Sequence, residues 1–95
     1  MVVITLCVLL SAVPGREKAL AHYEDQVLAL LGDNDGRLLA RIRSADGPWS
    51  DVQLIEFVSE HGFESFQQDP RRLALSALRD ESSASTAIVR GERVA

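Results

Sequence analysis

Apolar positions along this chain change their period several times, and each change marks an element. From Val2 to Leu10 nearly every residue is apolar. Val2, Ile4, Leu6, Val8 and Leu10 fall on one face of an extended segment, and Val3, Thr5, Cys7 and Leu9 on the other. A continuous apolar run predicts a strand buried on both sides. Pro14 then stands where a helix can begin, because its missing N–H costs nothing there. Leu20, Tyr23, Val27, Leu30 and Leu31 recur at helical spacing, while Arg16, Glu17, Lys18, Glu24 and Asp25 populate the remaining surface. This predicts a helix over Pro14–Leu31 that stops at Gly32, followed by a turn through Gly36.

Alternation returns at Arg37–Arg43, where Leu38, Ala40 and Ile42 interleave with Arg37, Leu39, Arg41 and Arg43. A third strand, after that at Arg37–Arg43, is expected over Val52–Val58, with Gln53, Ile55 and Phe57 on one face and Val52, Leu54, Glu56 and Val58 on the other. Ser59 is placed as an N-cap, and Phe63 and Phe66 give the next helix its buried side. Asp69-Pro70 reads as a cap followed by the first helical residue, so the helical stretch Ser59–Arg79 breaks and restarts there. Leu73, Ala74, Ala77 and Leu78 are expected to bury the restarted helix. Ser82–Ser85 reads as a polar connector before a last strand near Thr86–Val94. The order βαββαβ predicts a single ferredoxin-like α+β domain over residues 1–95, with a four-stranded antiparallel sheet. Helices on one face leave the other open, and the first strand offers that face only apolar and small residues. Burial against a second copy, a homodimer, is the expected solution.

Composition narrows the possibilities. A chain of 95 residues makes one domain, small enough that dimerisation is a common way to complete its core. The net charge of −4 argues against a nucleic-acid footprint, which needs clustered cations. No basic run suggests a membrane surface, and the apolar start is shorter than the ~20 residues of a membrane span. That start also lacks the charged region of a signal peptide, so it is read as a strand. The single cysteine, Cys7, is expected to be a buried, inert thiol in apolar surroundings, consistent with a cytoplasmic setting.

Few residues carry chemistry. Arg37 and Arg41, four apart on a strand, are expected on one face, as a clamp for a carboxylate or enolate or as ion-pair partners of Glu56. Glu56 sits within an apolar strand, where it could serve as a general base or be neutralised by an arginine. Trp49, in the loop after Gly47-Pro48, suits a pocket lid, a dimer anchor or local packing. His22 borders the apolar stripe of the first helix and either flanks a pocket or is exposed. Neither it nor His61 has partners at metal-ligand spacing, so no metal is expected. No phosphate-binding loop or catalytic triad is present in the pattern, and no cofactor is implied.

Several short motifs resemble the small DUF1330 proteins. The run Ile55-Glu56-Phe57-Val58-Ser59 resembles an Ile-Glu-Phe-Pro-Ser strand end, followed by the aromatics Phe63 and Phe66, then Asp69-Pro70-Arg71, then Leu78-Arg79. Gly36-Arg37-Leu38-Leu39-Ala40-Arg41 is similar to the family's Gly-Gly-(Arg)-x-Leu-Ala-Arg strand, and Val89-Arg90-Gly91 to its Val-Glu-Gly. The family's Trp-Tyr pair on the second helix is here Phe66-Gln67. The resemblance implies the dimeric α/β-barrel superfamily, in which two ferredoxin-like sheets face each other. Fold alone does not choose among the functions of such a superfamily. The doubly apolar first strand and the sparse polar chemistry point to a homodimeric small-molecule-binding or accessory protein of that type. The alternative is a cofactor-independent enzyme, monooxygenase- or isomerase-like, for a small anionic or aromatic substrate. In that alternative Arg37 or Arg41 would orient the anion and Glu56 would take the proton.

Overall fold

The computed structural model describes residues 3–44 and 46–94, so the expectation for Val2 lies outside the described residues. The elements are β1 (Ile4–Ala12), α1 (Glu17–Leu28), a 3-10 turn (Gly32–Asn34), β2 (Gly36–Arg43) and β3 (Asp51–Phe57). Three short helices follow, α2 (Glu60–Gln67), α3 (Pro70–Leu73) and α4 (Ser76–Ser82), and then β4 (Ser83–Gly91). The strands form one four-stranded sheet in the order β2-β3-β1-β4, with every neighbouring pair antiparallel. This is the ferredoxin-like α+β arrangement. No described helix is long and apolar enough to cross a membrane.

The core lies between the inner sheet face and the helices. Ile4, Leu6 and Leu10 of β1 and Ile55 and Phe57 of β3 are buried there against Leu20, Tyr23 and Val27 of α1. Phe57 is fully enclosed and meets both Phe63 and Phe66 of α2 at ring-centroid distances of 5.4 Å. Tilted pairs at this spacing add to the area each ring buries. The helix starts are set locally. Ser59 Oγ accepts from the Gly62 amide at 3.2 Å, and Asp69 accepts from the Arg71 amide at 2.9 Å with Pro70 in the first helical position. Both caps satisfy amides that a helix start otherwise leaves unpaired.

Several boundaries differ from the sequence pattern, each for a local reason. β1 runs on to Ala12, because Ser50 Oγ and the Ser82 carbonyl take the amides of Ala12 and Val13. Gly15, at φ 81°, then turns the chain, so α1 begins at Glu17 rather than Pro14. At its far end α1 tightens after Leu28, and the left-handed residue that ends the segment is Asp35, at φ 57°, not Gly32. α4 extends to Ser82, which is fully buried with its hydroxyl on the Leu78 carbonyl at 2.6 Å, and β4 starts at once. The break near Ala74 resets the helical phase. Leu75 and Leu78 therefore pack on the core, whereas Leu73, Ala74 and Ala77 are exposed.

The opposite sheet face carries no described element. Cys7 and Leu9 of β1 and Val52 and Leu54 of β3 are only half-buried there. Ile42 and Val89, on the flanking strands, are 61% and 62% exposed.

Candidate functional site

Register decides which side chains meet. In the β2–β3 ladder Arg37 opposes Glu56 and Leu38 opposes Ile55, but the next pair is Ala40 with Leu54, so Leu39 is an extra, unpaired residue. Such a bulge shifts all later side chains to the other face. Arg37 therefore shares the open outer face with Glu56, while Arg41, opposite Gln53, points to the helix side. The expectation that Arg37 and Arg41 share a face is corrected here. Strand period alone gives a common face, and the bulge removes it.

On the outer face Arg37 Nε donates to Glu56 Oε1 at 3.0 Å, with Nη2 at 2.9 Å from the same oxygen. Glu56 is thus neutralised by an arginine. On the inner face Arg41 holds Asp51 through Nε (3.2 Å) and Nη2 (2.7 Å), and reaches Asp25 of α1 through Nη1 at 2.6 Å. Arg43 adds a second, exposed contact to Asp25 at 3.2 Å. Trp49 is half-buried in the loop before β3, where the neighbouring Ser50 amide ties the loop to the Leu10 carbonyl at 2.7 Å. His22 is exposed on α1. Neither Trp49 nor His22 lines the cavity described next.

Between the inner sheet face and the helices lies a cavity of about 100 Å³. Its floor is Leu6, Val8 and Leu10 of β1. Phe63 and Phe66 of α2 form one wall, and Thr86 and Ile88 of β4 flank the side open to solvent. Ile88 is 54% exposed and marks the mouth. Further polar groups enter from four places: Tyr23 and Glu24 from α1, Gln53 from β3, Gln67 from α2, and Arg72 and Arg79 from the restarted helices. The pattern of a largely apolar chamber with a few convergent polar groups is that of a ligand site.

Glu24 is the residue that sequence reasoning assigned to the surface. It is 5% exposed, and burial pushes its carboxyl above the usual carboxylate range. The signal was available in its spacing, since Glu24 lies four residues after Leu20 and four before Leu28. Gln53 Nε2 donates to Glu24 Oε2 at 2.8 Å and lies 3.4 Å from Asp51 Oδ1. Both neighbours of that nitrogen are carboxylates, so the amide must turn its NH2 toward them. The chain Glu24–Gln53–Asp51–Arg41–Asp25 thus leads from the cavity to the protein surface. Tyr23, buried beside Glu24, has its phenol pushed up by burial, an effect opposed by the Arg72 charge. A buried carboxyl whose pKa is raised by desolvation is suited to act as a general acid or base toward a molecule in the cavity.

No family model matches the sequence, and no curated protein matches it. Solved structures do. A dimeric protein of unknown function and ferredoxin-like fold from Bacteroides fragilis superposes with a TM-score of 0.75 at 19% identity, covering 96% of each chain. A protein of unknown function from Nitrosomonas europaea gives 0.69 at 28% identity, covering 98% of this chain and 90% of its own. A candidate antibiotic biosynthesis monooxygenase from Caulobacter crescentus gives 0.81 at 14% identity, covering 98% of this chain and 91% of its own. Together these likenesses show that the chain adopts the ferredoxin-like α+β fold.

Proposed function

We propose that this chain is a homodimeric small-molecule-binding protein of the dimeric α/β-barrel type, with a ligand held in each subunit between sheet and helices. The observation that carries the proposal is the cavity, apolar on most sides yet furnished with Glu24, Gln53 and Arg72. The homodimer is supported by the open, apolar outer face, where Ile42 and Val89 stand exposed around half-buried Leu9 and Leu54. It is also in keeping with the dimeric protein of like fold. Contiguous exposed apolar surface of this kind marks an interaction site. In such a dimer Arg37 and Glu56 border the interface, and Arg41 braces the subunit from within.

A second reading follows from Glu24. A buried carboxyl with a raised pKa, facing an apolar chamber, suits proton abstraction from a small anionic or aromatic substrate without a cofactor. In this reading Glu24 takes the role that the sequence pattern gave to Glu56. The likeness to a candidate monooxygenase is compatible with it and identifies no substrate.

Native mass spectrometry of the wild type and of Ile88→Trp tests the proposal. Ile88 is largely exposed, so a bulkier ring at the mouth leaves the core intact. The expected result is a twofold mass for both proteins, with a small-molecule adduct, retained or added, in the wild type only. An adduct undiminished in Ile88→Trp, or a single-chain mass, contradicts it.

A further inference from the structure

Most arginines of this protein are committed to acids. Arg37 holds Glu56, Arg41 holds Asp51 and Asp25, Arg71 holds Asp69 and Asp33, and Arg90 holds Glu60. Arg72 differs. No carboxylate of the described residues lies within ion-pair distance of it. Its Nη1 makes one long contact, 3.3 Å, to the Gln67 carbonyl, and its guanidinium stacks over the Phe66 ring at 5.4 Å. Its Nε is the one buried side-chain nitrogen or oxygen among the described residues with no hydrogen-bond partner. That atom belongs to a residue lining the cavity.

A buried charged donor without an acceptor is costly, and native structures rarely keep one without a use. The Phe66 ring, 5.4 Å from the guanidinium carbon, holds the group beside the cavity, and its Nε edge has no acceptor. Planar, two-oxygen acceptors match that edge best. The size of the chamber limits the rest of the molecule. An engineered cavity of about 150 Å³ holds benzene, so a chamber of about 100 Å³ open on one side suits a body of roughly one ring or a short branched chain.

We infer that the ligand of this cavity is a small monocarboxylic acid, its carboxylate bound by Arg72 and its apolar body lying between Val8, Val27 and Phe63. The inference rests on the cavity being the ligand site. Glu24 and Gln53, at the β3 side of the chamber, then face the body of the ligand rather than its charge. Arg79 also lines the cavity, but its guanidinium is engaged by the adjacent Asp80 at 3.3 Å. It is assigned no part in anion binding.

Binding of three acid and amide pairs tests this: benzoate, phenylacetate and 3-methylbutanoate against their neutral amides, by calorimetry or ligand-observed NMR. Each amide keeps the shape of its acid and removes the charge. The wild type is expected to prefer at least one acid over its amide by roughly tenfold or more, the scale of one charge-assisted hydrogen bond. Arg72→Met should lose that preference while still binding the amide, Arg72→Lys should keep part of it, and Arg79→Gln should keep all of it. Equal binding of acids and amides by the wild type, or a preference that survives Arg72→Met, overturns the inference and leaves the cavity reading standing. A preference lost in Arg79→Gln but not in Arg72→Lys also overturns it. Binding of no acid and no amide overturns both. If Arg72→Met does not fold, the wild type, Arg72→Lys and Arg79→Gln decide alone.

Discussion

Arg41 and Asp51 form an ion pair that is almost wholly inside the protein: Nη2 and Oδ2 are 2.7 Å apart, and the side chains are 16% and 3% exposed. Two further contacts from Nε to both Asp51 oxygens make the pairing fork-like. Removing one partner of such a pair leaves the other charge buried and unpaired. Arg41→Met should therefore destabilise the fold by about 3 kcal/mol, read as a lowered urea midpoint. The same variant should bind cavity ligands normally wherever it is folded. Unchanged stability with lost binding would return Arg41 to the role of an anion clamp.

The face assignment behind that prediction shows what the sequence could and could not reveal. β3 was legible to within a residue at each end, because Gln53, Ile55 and Phe57 alternate with Val52, Leu54 and Glu56 and nothing interrupts its ladder with β1. β2 was legible as a strand but not as a pair of faces. A one-residue bulge at Leu39 has no signature in a run of Leu, Ala and Ile, since each residue fits either side of a pleated sheet. The caps at Ser59 and Asp69 were legible because their chemistry is local. The phase of α4 was not, because the break after Leu73 shifts which side chains face the core.

Glu24 predicts a pH dependence. Burial raises its folded-state pKa above the ordinary value of 4.5. The protonated form is the one the folded protein favours. The contribution of Glu24 is therefore fully present below about pH 4.5 and is lost as pH rises through the raised folded value. Glu24→Gln removes this dependence. Chemical denaturation of both proteins between pH 4 and pH 8 should show the wild type losing stability relative to the variant as pH rises. Parallel curves would mean that Glu24 is not desolvated in the folded state.

Gly62 in α2 meets the turn that precedes β2. A methyl group placed there would lie 2.6 Å from the Asn34 carbonyl oxygen. Asn34 cannot retreat freely, because its side chain is held by the Leu30 carbonyl, Asp69 and Ser65 at 3.0, 3.0 and 2.6 Å. Alanine would otherwise favour the helix by about 1 kcal/mol over glycine. Gly62→Ala should nevertheless destabilise the protein by about 1–3 kcal/mol, the usual cost of overpacking. Thermal unfolding reads the sign directly, and a raised midpoint would contradict the close approach.

The outer face predicts assembly. Val89 is 62% exposed in the single chain, so a charge there costs the subunit little. In a sheet-to-sheet homodimer it would place two like charges in an apolar interface. Val89→Glu should sediment as a folded monomer at micromolar concentration where the wild type sediments as a dimer. A wild-type monomer, or a dimer indifferent to the substitution, would remove the outer face as the interface.

The site itself was only partly legible. Pairing of Glu56 with an arginine of the neighbouring strand was one of two readings the sequence left open, and Arg37 does pair with it. Among the cavity residues, Glu24 was read as surface because it is charged and has a charged neighbour in sequence, and Arg72 was not singled out. What gives them a different character is enclosure by Phe63, Phe66 and β4, which only the assembled fold supplies.

The most direct test of the ligand site is a two-dimensional amide NMR titration of the dimer with the tightest-binding molecule of the acid and amide panel. The account predicts that shifts concentrate at Tyr23, Glu24, Gln53, Gln67 and Ile88, around the inner cavity. Shifts concentrated instead at Arg37, Leu54 and Glu56 would place the ligand on the outer sheet face and contradict it.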